Sequence, residues 1–270
     1  MRKRVLIAVK TYPSLSEKYN ELVCTAGFLD DGSWIRLYPI QFRMLNDDQQ
    51  YPKYGFIELD VEKNPTDHRV ESYRPINISS SLQVVGILGT DNEWAQRRNI
   101  VLRNATNNLA QLIRRSISEH ISLAVYKPAQ VLDFVWEKVP GEWDKNKLEK
   151  VKSNLKQLNL FEEHKEATTM FRVVRKLPYK FSYRFNDIDG KPHKLMIEDW
   201  ELGALFWKCI DKGDSEQEAC EKVKNKYFDW MCKRDLYFYL GTTLAHPNTF
   251  IIIGTFYPPV PKPKVLSLFD

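Results

Sequence analysis

The chain has 270 residues, 43% of them apolar, with 40 basic and 35 acidic side chains and a formal charge of +5. That length leaves room for two cores, and the absence of any run of about 18 apolar residues gives no expectation of a transmembrane helix. So mild a charge permits a polyanionic partner without requiring one.

In chain order, the basic start Met1–Arg4 runs into Val5–Val9, too short an apolar stretch for a signal peptide, and reads as a first strand. Leu22–Leu29 and Trp34–Tyr38 flank Asp30-Asp31-Gly32-Ser33, which is the clearest hairpin in the chain. Strand alternation places Trp34, Arg36 and Tyr38 on one face. Tyr54–Lys63 adds a further strand. Short strands with such turns over about 80 residues point to a small barrel.

Residues 81–125 read as mainly helical. Ile100, Leu109, Leu112, Ile113 and Ile117 recur at helical spacing, and Arg97, Arg98, Arg103, Arg114 and Arg115 lie opposite. Residues 122–126 and 131–138 return to strand. Lysine-rich 140–169 reads as a charged linker, helical or loose over 144–156. The last hundred residues form a second unit: strands over 170–176, 179–185 and 194–197, helices opening at Glu198 and Ser215, and strands over 236–240 and 250–257. The expected fold is therefore α+β. A barrel-like unit spans 1–139 with a helical middle, the linker 140–169, an α+β unit 170–262 and a tail 263–270.

Cys24, Cys209, Cys220 and Cys232 include no C-x-x-C pair, so reduced thiols in a cytoplasm are expected rather than a disulfide frame or a zinc knuckle. Neither a G-x-x-x-x-G-K-[ST] loop nor a G-x-G-x-x-G nor a G-x-S-x-G elbow is present.

Four constellations could carry chemistry, of which His246-Pro247-Asn248, after the small-residue loop Gly241-Thr242-Thr243, could face a ligand but reads first as a structural or exposed turn histidine. In the first, Trp34, Arg36 and Tyr38 offer ring faces and a guanidinium on which bases stack. The segment from Cys24-Thr25-Ala26-Gly27 through Trp34-Ile35-Arg36 to Pro39 resembles bacterial proteins described as carrying dual OB-type domains. The resemblance covers about 20 residues and implies a β-barrel that binds nucleic acid. With Arg97, Arg98, Arg103 and Arg114 these side chains would form one polyanion-receptive surface, as expected of an accessory protein in a DNA-processing or anti-phage assembly. The competing expectation is that Trp34 packs in a core and Arg36 pairs with an acid.

The second constellation, Gln157-Leu158-Asn159-Leu160-Phe161, resembles the peptide by which many bacterial replication and repair proteins dock on the sliding clamp. Gln157, Leu158, Leu160 and Phe161 would be the anchors, and the alternative is an apolar patch pinning the linker to its own domains. In the third, His193, Asp199 and Glu201 are candidates for a metal-dependent nuclease, the only reading that calls for a cofactor, Mg²⁺. Against it, acids at a helix start are favoured by the helix dipole alone, which makes Asp199 a cap. A nucleic acid, a sliding clamp or a larger assembly are thus the expected partners, and a membrane is not.

Overall fold

A computed structural model describes residues 1–17, 19–161 and 173–262, with the backbone alone for Ser79 and residues 155–161. The N-terminal elements are β1 (Arg2–Lys10), β2 (Ser14–Ser16), β3 (Asn20–Phe28), β4 (Trp34–Ile40), β5 (Gly55–Lys63), β6 (Ser72–Pro75), a one-turn helix α1 (Ile78–Ser81) and β7 (Gln83–Ile87). β1 pairs antiparallel with β3 and β5, β3 with β4, and β5 with β6, while β4 and β6 run parallel. The ring β1-β3-β4-β6-β5 closes into a five-stranded barrel, with β7 added beside β5 and β2 beside β3.

Side-chain alternation sorts the barrel residues into two cores. Val5 and Ile7 point inward with Val23, Ile35, Leu37, Ile57 and Leu59. Leu6 and Ala8 point outward with Ala26 and Phe28, yet these are buried too. A strand covered on both faces reads as a continuous apolar run, which is why Val5–Val9 does not alternate. The turn between β3 and β4 uses Gly32 at φ +81°, and the Asp31 carboxylate accepts from Ser33 N at 2.8 Å.

The helical middle consists of α2 (Asp91–Val101) and α3 (Leu109–Ser118). Asn92, Glu93 and Trp94 take φ of 49°, 56° and 65°, a left-handed turn inside the α2 span, and Arg97 and Val101 face inward after it. Leu109 and Leu112 are buried as expected, whereas Ile113 and Ile117 are exposed.

The remaining elements are β8 (Leu123–Tyr126), β9 (Gln130–Lys138), α4 (Lys145–Phe161), β10 (Tyr179–Asn186), β11 (Pro192–Met196), α5 (Trp200–Asp211), α6 (Glu216–Lys224), β12 (Tyr237–Thr242) and β13 (Phe250–Phe256). They build two three-stranded sheets, β11-β10-β9 and β13-β12-β8, joined where Ile197 bridges Ile252. β8 and β9, assigned on sequence to the barrel unit, therefore hydrogen-bond into the C-terminal sheets. Asp199 caps α5, and Ser215 with Glu218 forms a capping box on α6. Phe206, Ala219 and Tyr227 pack on Phe134, Phe181 and Phe238 of the sheets.

β12 alternates in turn. Phe238 and Leu240 enter that core, while Tyr239 joins Ile253 and Phe256 against Leu6, Ala8 and Phe28 of the barrel. The C-terminal sheet thus covers the outer face of β1, β3 and β4. Of the helical and loose alternatives for residues 144–156 the structure has the helix, α4, but it is packed rather than solvated, with Val151 buried against Leu15 and Val174. Val173–Lys176 form no strand, and residues 170–172 of that expectation lie outside the described residues.

Candidate functional site

Where the barrel meets the C-terminal sheet, a cleft of about 290 Å³ remains open. β3 and β4 supply Cys24, Arg36 and Tyr38, because inward Thr25, Ile35 and Leu37 force the alternate residues outward. The loops after β1 and β5 add Thr11, Tyr12, Asp67 and Arg69. Across the cleft stand Glu198, Thr242, Leu244, Ile251 and Ile253.

Arg36 is 4% exposed. Its Nη2 donates to Ser122 O at 3.3 Å, Ser122 Oγ at 3.2 Å and Thr242 O at 3.3 Å, and its Nη1 donates to Cys24 Sγ at 3.0 Å. Sulfur is a weak acceptor. Nε of Arg36 and Oγ1 of Thr242 are buried without a hydrogen-bond partner. Arg69 is held differently: its Nε donates to Asp67 Oδ1 at 2.8 Å and its Nη1 to Thr242 O at 2.7 Å. Burial pushes the Asp67 carboxyl up, but hydrogen bonds from Arg69 and Ser72 and the Arg69 charge overcome this and bring it down to about 2. Glu71 completes the seam by accepting from Ser122 N at 2.9 Å and Ser122 Oγ at 3.0 Å.

Electrically, Asp67 neutralises Arg69. Arg36 meets sulfur and neutral oxygens, and among the described residues the Glu198 carboxylate makes no hydrogen bond or ion pair. Arg36 and Arg69 thus stand with Asp67 and the exposed Glu198 at the cleft, and the buried Glu71 carboxylate lies behind them on Ser122.

Behind the cleft, sharing Ile253 with it, lies a second constellation around a cavity of about 30 Å³: Lys10 and Lys53 from the barrel, Asp199 and Glu201 from α5. Lys53 Nζ is 3.3 Å from Glu201 Oε2 and donates to Thr255 O at 3.1 Å. Burial works against the Lys53 ammonium, yet the two carboxylates outweigh it and raise its pKa. Lys10 sits 4.2 Å from the Phe42 ring centre, and burial lowers it to about 8. Asp199 Oδ1 accepts from Glu201 N at 2.8 Å, while its Oδ2 is buried and unpartnered. Burial raises Asp199 to about 6 against the pull of Lys53.

The residues singled out on sequence do not assemble as expected. Trp34, Arg36 and Tyr38 do share the outer face of β4, but the C-terminal sheet covers it. The Trp34 ring lies 4.1 Å from Phe28 and meets Tyr239 edge-on at 5.7 Å, so it is packing and not a free platform. Tyr38, 36% exposed, alone of the three shows a ring at the cleft mouth. Arg97 is buried, donating to Leu88 O from Nε at 2.9 Å with its guanidinium 4.0 Å from the Tyr54 ring centre. Arg98 pairs with Asp235 at 2.6 Å. Arg103 binds Asp31 O at the hairpin turn, and Arg114 is exposed on α3. The single arginine surface is corrected accordingly: Arg36 and Arg97 are buried and Arg98 is paired with Asp235.

His193 does not join Asp199. Its Nε2 is 2.7 Å from Asp187 Oδ2, while Glu201 pairs with Lys53 and Asp199 caps α5. Among the described residues no group of three His, Cys, Asp or Glu side chains is placed to hold a metal ion. Gln157, Leu158, Leu160 and Phe161 fall in the last turns of α4, and their side chains lie outside the described residues. Sequence reasoning missed Lys10, Lys53, Asp67, Arg69 and Glu71. One signal was available: Asp67, Arg69 and Glu71 alternate in charge at a spacing of two, a strand-like face.

Residues 103–270 match a family described as a domain of unknown function, DUF8757, and residues 1–103 match a second such description, DUF8758. The chain belongs to the DUF8757 family. The two matches meet at residue 103, between α2 and α3, where the chain leaves the barrel for the C-terminal sheets. No curated protein matches the chain. No helix among the described residues is long and apolar enough to cross a membrane.

Proposed function

We propose that the protein binds single-stranded nucleic acid, with one nucleotide lodged in the cleft between the barrel and the C-terminal sheet. The barrel's strand order, first-second-third-fifth-fourth-first with the third and fifth parallel, is that of an OB-type barrel once β2 is set aside. Such barrels take ligands on the face of their second and third strands, between the loop after the first strand and the loop after the fourth. Those four places are β3, β4, residues 11–14 and residues 64–69, which line the cleft from the barrel side. That coincidence carries the proposal.

The chemistry of the walls agrees. Tyr38 offers a ring at the mouth, Ile251 and Ile253 give flat apolar contact, and Arg36 brings a guanidinium whose Nη1 meets only the Cys24 sulfur. A volume of about 290 Å³ takes one nucleotide and excludes a duplex. The protein therefore selects unpaired strands, whose bases leave the stack at low cost.

Fluorescence anisotropy of labelled single-stranded DNA and RNA with the full chain, at two salt concentrations, tests this. Saturable binding that weakens in salt and in Tyr38→Ala is expected. No binding of either nucleic acid at low salt would refute it.

A further inference from the structure

We propose that a shelf made by Trp230 and Arg234, at the end of β13 away from the cleft, is a second contact for the bound strand. A base lies on the guanidinium plane and a backbone phosphate meets the guanidinium edge. The proposal rests on the single-strand reading above and adds a place outside the cleft.

The backbone sets Trp230 out. Ala219, Val223 and Tyr227 are fully buried, and a continued α-helix would bury Trp230 with them, seven residues after Val223. Instead Asn225–Trp230 form a π-helical turn, which takes more residues per turn. The buried place passes to Met231, and Trp230 is left 43% exposed. One exposed tryptophan is ordinary on a protein surface. What distinguishes this one is its cover: the Arg234 guanidinium stands 4.3 Å from the ring centre. Arg234 makes no side-chain hydrogen bond or ion pair among the described residues, so its N–H edge is unspent. Tyr257 props the indole edge-on at 5.4 Å and is itself packed on Trp94 at 5.6 Å. Guanidinium planes stack on bases, and their N–H edges match phosphate oxygens.

The charge around the shelf suits a phosphodiester. Residues 225–234 carry Lys226, Lys233 and Arg234 against Asp229. Lys226 acts inward on Asp199 and Glu201, which leaves Lys233 and Arg234 with Asp229. Asp235, the next acid along the chain, is taken by Arg98 and Lys127 at 2.6 Å each.

Ile251 at the cleft and Tyr257 at the shelf lie about 20 Å apart along β13, at about 3.3 Å per residue. At about 3.4 Å of stacked rise per nucleotide, about six nucleotides cover that span. The experiment measures anisotropy of the full chain with thymidine strands of about 4 and about 12 nucleotides, within the range that one such barrel occupies. Trp230→Ala and Arg234→Ala are each expected to weaken the longer strand at least about fivefold and to leave the shorter one within about twofold. Arg234→Lys keeps the charge and loses the plane, and it too is expected to weaken the longer strand. Equal affinity of the longer strand for the wild type and all three variants, with Tyr38→Ala still weakening it, would overturn the shelf and leave the cleft standing. No binding of either strand by the wild type would overturn both.

Discussion

Tyr12 of the barrel lies against the backbone of Gly203 in α5, so closely that a Cβ on Gly203 would stand 2.1 Å from the Tyr12 ring. Tyr12 lines the cleft on one side and, with Trp200 and Trp207, an open groove of about 500 Å³ on the other. A helix-interior glycine normally costs about 1 kcal/mol relative to alanine. Here the clash decides the sign. Gly203→Ala is expected to destabilise the fold by about 1–3 kcal/mol, the usual cost of overpacking, and to weaken oligonucleotide binding because Tyr12 must move. Urea midpoints and anisotropy titrations on the same preparation check both effects.

The lysine–carboxylate constellation predicts a pH dependence of stability. Asp199 has its folded pKa raised to about 6 by burial, so it holds a proton more tightly folded than unfolded. Its contribution is fully present below its unfolded pKa and is lost as pH rises from about 4 through 6. Lys10 is lowered to about 8, so its contribution is present above its unfolded pKa and is lost as pH falls from about 10.5 through 8. Asp199→Asn is expected to remove a fall of up to about 3 kcal/mol between pH 4 and 6. Denaturant unfolding across that window gives the answer, and a curve as steep in Asp199→Asn as in the wild type would show that the carboxyl titrates normally.

Thr242 separates stability from binding. Its hydroxyl is buried and unpartnered, so Thr242→Val removes a desolvated polar group without breaking a bond. Stability is expected to rise by up to about 1 kcal/mol. Oligonucleotide affinity is expected to stay within about twofold, because the buried hydroxyl presents no surface to the cleft. Thermal unfolding and anisotropy read the two independently.

Much of the barrel was legible in the sequence because its information is local. The Asp31–Ser33 turn, the Gly32 conformation and the shared face of Trp34, Arg36 and Tyr38 all follow from neighbours within a few residues. What covers that face was not legible. Arg36 reaches Ser122 and Thr242 across 86 and 206 residues of chain, and no periodicity near Arg36 encodes either contact. Arg97 shows the same limit in a helix: it is buried just after three left-handed residues at 92–94, and neither Glu93 nor Trp94 favours that conformation. The cleft inherits both difficulties, since half of it comes from each unit and its charged walls were read as ordinary loop residues.

The central claim is that the strand enters the cleft, and Cys24 reports on it directly. Its half-buried thiol lines the cleft, Cys232 is exposed and is not among the cleft residues, and Cys209 and Cys220 are buried. Iodoacetamide labelling followed by peptide mass mapping, with and without a saturating short single-stranded oligonucleotide, measures the occupancy of that place. The bound strand should slow Cys24 alkylation at least fivefold with Cys232 unchanged. Equal Cys24 labelling with the strand demonstrably bound would place the nucleic acid elsewhere and contradict the proposal.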